Sequence, residues 1–318
     1  MSTSNAPVSA CQDGAIERAV EKLLAGELVA VPTETVYGLA ADATNPMAVQ
    51  KIYQTKGRPS FNPLICHVSS VAMAEDLVEL PQLAIKLAEK FWPGPLTIVC
   101  AIKEKNGVAA EVTAGLNTLA VRCPANAITR EVIKKLNRPI AAPSANPSGK
   151  LSPTRAQTVF ASMGDRVDMI LDDGPTQVGI ESTIVSVDDD RVTLLRPGTI
   201  TPDDITAVTN IAVKDRNNTQ ITAPGQLASH YAPEAVVQLN QQPCEGVTFI
   251  GFGEIDGDFN LSPSGDLEEA AHNLFETLRQ ADRGLPIAVA SIPNVGTGIA
   301  INDRLNRAAA ERPEASRD

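Results

Sequence analysis

VPTETVYGLAADA, from Val31 to Ala43, and KIYQTKGRPSFNPLICHV, from Lys51 to Val68, set a Thr, a Lys, an Arg, an Asn and a His in two loops that border apolar runs. The first loop leaves the strand-like LVAVP, and the second runs into the strand-like PLICHV. Most of the 23 prolines also sit where strands enter loops, which suits an α/β protein built around its loops. Two fixed cations beside an amide and an imidazole suit a site that grips phosphates and a small carboxylate. The pair of loops therefore points to nucleotide chemistry on a small acid.

Outward from these loops the pattern extends in both directions. A helix is expected over Ala15 to Ala25, with Ile16, Val20, Leu23 and Leu24 on one stripe and Gly26 as its stop. Helices are expected near 46–55, 82–91, 126–137 and 154–161. Strands are expected at 28–32, 63–68, 96–102, 119–123, 139–146, 168–172, 182–188 and 191–196. Strands and helices mix without strict βαβ alternation, so the unit reads as a twisted mixed sheet with flanking helices. Residues 200–235 change character: DRNNTQITAPGQLASHYAP has few apolar residues and several breakers, and reads as a linker. Beyond it VVQLN, GVTFIGF and PIAVASIP look like strands, and LEEAAHNLFETLRQAD and INDRLNRAAAE like helices. The division is then 10–210, a linker 211–235, and a small α/β unit 236–318.

Composition narrows the function. At 318 residues, 43% apolar and 20% charged, the chain is an ordinary globular protein of one large or two moderate domains. A net charge of −11 argues against a protein coated in nucleic acid, although a local basic cleft remains allowed. No apolar stretch is long enough for a membrane span, and MSTSNAPVSACQDG reads as a frayed tail rather than a signal peptide. Five cysteines without a CxxC pair, four of them in or beside apolar runs, suit a reduced, cytosolic setting. Three scattered histidines make a zinc site unlikely to assemble, and no metal-ligating set is expected.

Several common machineries are absent. There is no GxxxxGK[ST] loop, the GTG at Gly296–Gly298 lacks a third glycine, and no GxSxG elbow occurs. What is present is a set of cationic and hydroxyl-bearing loops. In KGRP, Arg58 offers a rigid fork for phosphate oxygens and Lys56 a mobile point charge, or the tetrapeptide is a basic turn at a helix C-terminus. Asn62 alone reads equally as a turn residue, and His67 as a strand-end histidine. APSANPSGKLSPT, Ala142 to Thr154, can wrap anionic oxygens with hydroxyls and backbone N–H groups, or be a Ser/Pro turn. GIESTIVSV places Ser182 and Thr183 at a strand start, and LLRPG places Arg196 at a strand end, where it could also be an edge charge.

In their order along the chain, PTETVYGLAADA, KGRPSFNPLICHV, WPGPLTIV, VRCP, APSANPSGKLSPT, GIESTIV and LRPG resemble the Sua5/YrdC/YciO family. The chain is most similar to its long Sua5 type, which adds a linker with HYAP, here His230 to Pro233, and a small C-terminal domain. The resemblance implies a YrdC-like twisted mixed sheet with flanking helices around a concave cavity, followed by a small, Rossmann-like α/β domain. It implies synthesis of L-threonylcarbamoyl-adenylate and pyrophosphate from L-threonine, bicarbonate and ATP with Mg2+, for the N6-threonylcarbamoyl modification of tRNA adenosine 37. Matched position by position, Thr35, His67, Arg122, Ala142 and Ser182 would hold threonine. Arg58, Asn62, Thr118, Ser144, Ser152 and Arg196 would contact ATP, with Tyr231 closing over the nucleotide and Lys56 accompanying Arg58 in catalysis. No covalent nucleophile is implied, so catalysis is expected to be positioning plus electrostatics. Further partners would be tRNA or a downstream threonylcarbamoyl-transferase complex, with no membrane. The tail before Ala15 and the VSVDDDR hairpin are expected to be inert, and the C-terminal domain to stabilise or to dock partners. The linker is a lid or a passive tether. The rival readings are a non-catalytic double-stranded RNA or tRNA-binding module of the same fold, and an enzyme acting on carbamoyl phosphate.

Overall fold

The computed structural model describes residues 6–216, 223–225 and 229–311. Eleven strands form the first sheet: β1 (Val8–Ser9), β2 (Val29–Val31), β3 (Gly38–Asp42), β4 (Ile65–His67), β5 (Leu96–Ala101), β6 (Thr118–Arg122), β7 (Ile140–Ala141), β8 (Met169–Asp172), β9 (Thr183–Val187), β10 (Val192–Arg196) and β11 (Lys214–Asp215). They lie in the order β1-β8-β2-β3-β7-β4-β6-β5-β9-β10-β11, with parallel and antiparallel pairs mixed. The helices of this unit are α1 (Ala15–Leu24), α2 (Pro46–Lys56), α3 (Val71–Leu77), α4 (Gln82–Phe91), α5 (Ala110–Thr113), α6 (Ala127–Leu136), α7 (Ala156–Met163) and α8 (Pro202–Thr209).

Alternation along the strands explains how the sheet is covered. Val29 and Val31 face α1 and α6 in one core, with Ala19, Leu23, Val132 and Ile133. Leu28 and Ala30 face the other way, into a larger core with Val49 and Ile52 of α2, Leu87 of α4 and Val159 of α7. A strand covered on both faces needs apolar residues at every position, which is why LVAV reads as a continuous apolar run. The small residues of β3 lack that signature, and the stretch 31–43 reads as loop from sequence. Pairing to β2 and β7 makes it a strand.

Other expectations also change. β1 pairs with β8, so part of the N-terminal tail is an edge strand rather than frayed chain. β11 pairs with β10, so the first unit extends on both sides of 10–210. Ahead of the expected linker at 211–235 lies a helix not expected from sequence: Thr201 and Asp204 form a capping box that starts α8, with Pro202 in its first turn. The strand expected at 139–146 shortens to β7, because the residues after it turn across the site. Of the cysteines, Cys66, Cys100 and Cys123 are buried, while Cys11 and Cys244 are exposed.

The second unit holds β12 (Val237–Gln238), β13 (Thr248–Gly251), β14 (Phe259–Asn260) and β15 (Ile287–Val289), with α9 (Leu267–Ala281) and α10 (Gly298–Ala309). Its strands are all parallel in the order β12-β15-β13-β14. The unit is bolted to the first one: Val36, Leu151 and Ile180 belong to the same core as Phe275 and Ile301. Among the described residues no helix is long and apolar enough to cross a membrane.

Candidate functional site

Strand register brings the first group of side chains together. β4 and β6 are parallel with His67 opposite Arg122, so both side chains project from the same face. The loop after β2 supplies Thr33 and Thr35, whose hydroxyls lie 2.8 Å apart. Arg122 donates from Nη1 to Thr35 Oγ1 at 3.0 Å, from Nη2 to Glu34 at 2.7 Å, and from Nε to the Gly94 carbonyl at 3.2 Å. The guanidinium is thus held in one orientation on a rigid strand. Glu34 is itself buried, and its second oxygen accepts from the Ala125 N–H at 2.9 Å.

The second group comes from the loops after α2 and β7. Asn45 caps the start of α2, and Gly57, at φ +60°, ends it in a left-handed turn. Arg58 follows that turn and folds back, donating to the Asn62 side chain at 2.6 Å and to the carbonyls of Asn62 and Pro63. Burial holds its pKa down to about 10. Asn62 is fully buried, and its Nδ2 has no acceptor among the described residues. Such an amide suits a ligand atom better than bulk water. Lys56 is buried too, and its ammonium donates to the carbonyls of Ser144 and Asn146. It therefore braces the 144–146 loop from behind instead of acting as a mobile charge.

Arg196 completes the group. The β9–β10 ladder slips between Leu194 and Arg196, and this bulge re-aims the arginine at the strand end. Its Nε and Nη2 donate to the carbonyl and hydroxyl of Ser182, each at 3.1 Å. The Ser182 hydroxyl also bonds Thr97 Oγ1 at 2.8 Å.

These pieces enclose one cavity of about 510 Å3 of atom-free space, part of it open to solvent. Its walls include Thr35, Arg58, His67, Arg122, Ala142, Ser144, Arg196 and Tyr231 among the residues expected from sequence. Lys56, Asn62, Ser152 and Ser182 stand one bond behind the wall. The Ser152 hydroxyl is turned to Glu181, because a buried carboxylate needs donors. Thr118 shares a face of β6 with Arg122 but lies at the far end of the strand, outside the wall. Three guanidinium groups line the wall with one carboxylate, Glu181, and a second, Glu34, pairs with Arg122 behind it, so the balance still favours an anion. Burial, then the neighbouring Arg122, lowers the His67 pKa to about 3, and burial with the cations Arg58, Lys56 and Arg196 lowers that of His230, so both imidazoles are neutral.

The linker is part of this cavity. Pro224, Gly225, His230 and Tyr231 line it, and Ala223 covers an apolar patch of Ile65, Val99, Ala120 and Ile184. A Cβ on Gly225 would sit 2.9 Å from the Tyr231 hydroxyl and from Arg196 Cδ. The described linker residues are packed against the cavity wall. The rest of the linker, 217–222 and 226–228, lies outside the described residues.

Sequence reasoning missed Glu34, Glu181 and Thr33 as members of the site. Each was visible as a polar residue inside a stretch that otherwise reads as apolar or loop-forming. Its partner, 29 to 123 residues away for Glu181, was not. Among the described residues no cluster of three His, Cys, Asp or Glu side chains forms a metal cage. The carboxylates nearest the cavity, Glu34 and Glu181, each accept from an arginine, Arg122 and Arg304 respectively.

Two family profiles cover the chain: one described as "Telomere recombination", the Sua5/YciO/YrdC profile, matches residues 21–198. The other, described as the C-terminal domain of threonylcarbamoyl-AMP synthase, matches residues 200–310. The chain is 40% identical to a threonylcarbamoyl-AMP synthase of Bacillus subtilis over 94% of each protein. It is 39% identical to one from Pyrococcus abyssi, over 90% of this chain and 92% of that relative. The crystal structure of P. abyssi Sua5 complexed with L-threonine superposes with a TM-score of 0.85 at 38% identity, covering 92% of this chain and 94% of that one.

Proposed function

The chain belongs to the Sua5/YrdC/YciO family, and from that membership we propose how its cavity works as a threonylcarbamoyl-AMP synthase. It is an enzyme of the nucleotidyltransferase type, with L-threonine as a substrate. The observation that carries the reading is the convergence of Arg58, Arg122, Ser144 and Arg196 on one cavity.

The threonine α-carboxylate pairs with Arg122, whose orientation is preset by Glu34 and the Gly94 carbonyl. The β-hydroxyl meets the hydroxyl pair Thr33–Thr35. A site that hydrogen-bonds a hydroxyl rejects the analogue that lacks it. The amine of threonine adds to the carbon of bicarbonate, and loss of water gives the N-carboxylate. An oxygen of that carbamate then attacks the α-phosphorus of ATP, and the bond to the β-phosphate oxygen breaks to release pyrophosphate. Arg58 and Arg196 neutralise the phosphate charge as it moves to the leaving group. The packed linker supports water exclusion, which the labile carbamate needs. Mg2+ comes with the phosphates of ATP. The mixed anhydride passes, in the cytoplasm, to a transferase complex acting on tRNA.

The test is pyrophosphate release from the pure protein with ATP, bicarbonate and labelled threonine. Release should require threonine and fall on the order of a hundredfold in Arg58→Ala. Threonine-independent release, or salt-sensitive RNA binding without turnover, would sink the reading.

A further inference from the structure

Arg304, on α10 of the C-terminal unit, is fully buried, yet it lies outside the cavity. A buried guanidinium is costly unless its donors are met. Here four of its N–H groups reach acceptors. Nε donates to Glu181 Oε2 at 3.1 Å and Nη2 to the Glu181 carbonyl at 3.3 Å. Nη1 donates to the Pro197 carbonyl at 2.6 Å and to Asp303 at 3.0 Å.

The two residues it grips across the domain boundary are informative. Glu181 directly precedes Ser182, and Pro197 directly follows Arg196. Ser182 and Arg196 are the bonded pair that aims the bulged arginine into the cavity. One guanidinium therefore bridges the residue before Ser182 and the residue after Arg196, just beyond the end of the β9–β10 ladder. The remaining oxygen of Glu181 accepts from the Ser152 hydroxyl, which ties in the loop after β7. The guanidinium also lies 5.5 Å from the centre of the Tyr231 ring, which meets the rings of His230 and of Phe275 in α9. At the threonine end, Arg122 bonds Thr35, Glu34 and Gly94 rather than Arg304, and only Ser182 is reached, indirectly, through its bonds to Arg196.

We infer that Arg304 is a positioning residue for the nucleotide half of the site, acting through Glu181 and Pro197 on Arg196. The C-terminal unit is then a structural part of the active site. The inference rests on the synthase reading for the identity of the nucleotide. Interdomain glue alone would loosen both halves of the site; a device acting through Arg196 weakens one.

Arg304→Lys keeps the charge and removes the fork that bridges Glu181 to Pro197. Calorimetric titrations of the full chain with ATP and, separately, with L-threonine read the two halves without requiring turnover. ATP binding should weaken on the order of tenfold or more, as expected for a displaced phosphate ligand, while L-threonine binding stays within about twofold. Unchanged ATP binding, or equal losses for both ligands, would overturn the inference. Should Arg304→Lys fail to fold, Arg304→Gln keeps an amide donor for Glu181 without the fork to Pro197, and the same two outcomes decide. A wild-type chain that binds ATP yet releases no pyrophosphate refutes the synthase reading and leaves the titrations decisive for Arg304.

Discussion

Buried charge is the theme at the level of single residues. The cavity residues that sequence singles out with most reason, Arg58, Arg122 and Arg196, are all under a tenth exposed. Arg58, between Gly57 and Pro59, and Arg196, before Pro197-Gly198, can be read as site candidates, because such turns bring backbone and side chain to a ligand together. Direction cannot be read. Lys56 lies two residues before Arg58 and turns instead onto the carbonyls of Ser144 and Asn146. His67 yields a pH prediction. Burial and Arg122 hold its pKa at about 3 against the ordinary 6.5. Between those values the unfolded chain binds the proton and the folded one does not, so stability rises with pH across that window. From pH 8 down to pH 5 this group should cost about 2 kcal/mol. His230, lowered in the same direction, adds to the slope. Melting curves at several pH values should show a shallower acid-side decline in His67→Gln than in wild type. Equal slopes would mean the imidazole is not buried neutral.

Elements with strong local signals match their expected bounds closely; those held by neighbours do not. α4 spans Gln82–Phe91, where its apolar spacing and the following Trp-Pro-Gly break put it. β3 has only Gly, Leu, Ala and Asp, and exists because β2 and β7 flank it. α8 carried a readable capping box that the polar stretch after it obscured. The turn before β9 shows how tightly elements meet. Gly179 has φ +82°, and a Cβ there would lie 2.4 Å from the backbone of His272 in α9. Gly179→Ala should therefore strain the turn and push α9 away, lowering stability by roughly 1–3 kcal/mol in denaturant unfolding. An unchanged midpoint would show that this contact yields without cost.

At the scale of the molecule, the second unit is not a separable appendage. Val36, Leu151 and Ile180 of the first unit pack into its core, and Tyr231 of the linker joins them. Cutting the chain after residue 235 would expose this apolar face and leave Glu181 without its arginine. The shortened protein should aggregate or lose ATP binding, as read by light scattering and titration. A monodisperse fragment with full ATP affinity would refute this.

Local order was enough to read the α/β class, most helices and strands and the cationic loops, since periodicity, turn chemistry and ordered motifs act over short distances. Long-range packing settled the rest. Which polar side chains face the cavity, which stand behind it and how α10 reaches across to hold Arg196 depend on contacts between residues as much as 123 positions apart. A buried charge settles wherever its partners happen to meet it, and no stretch of chain carries that information alone.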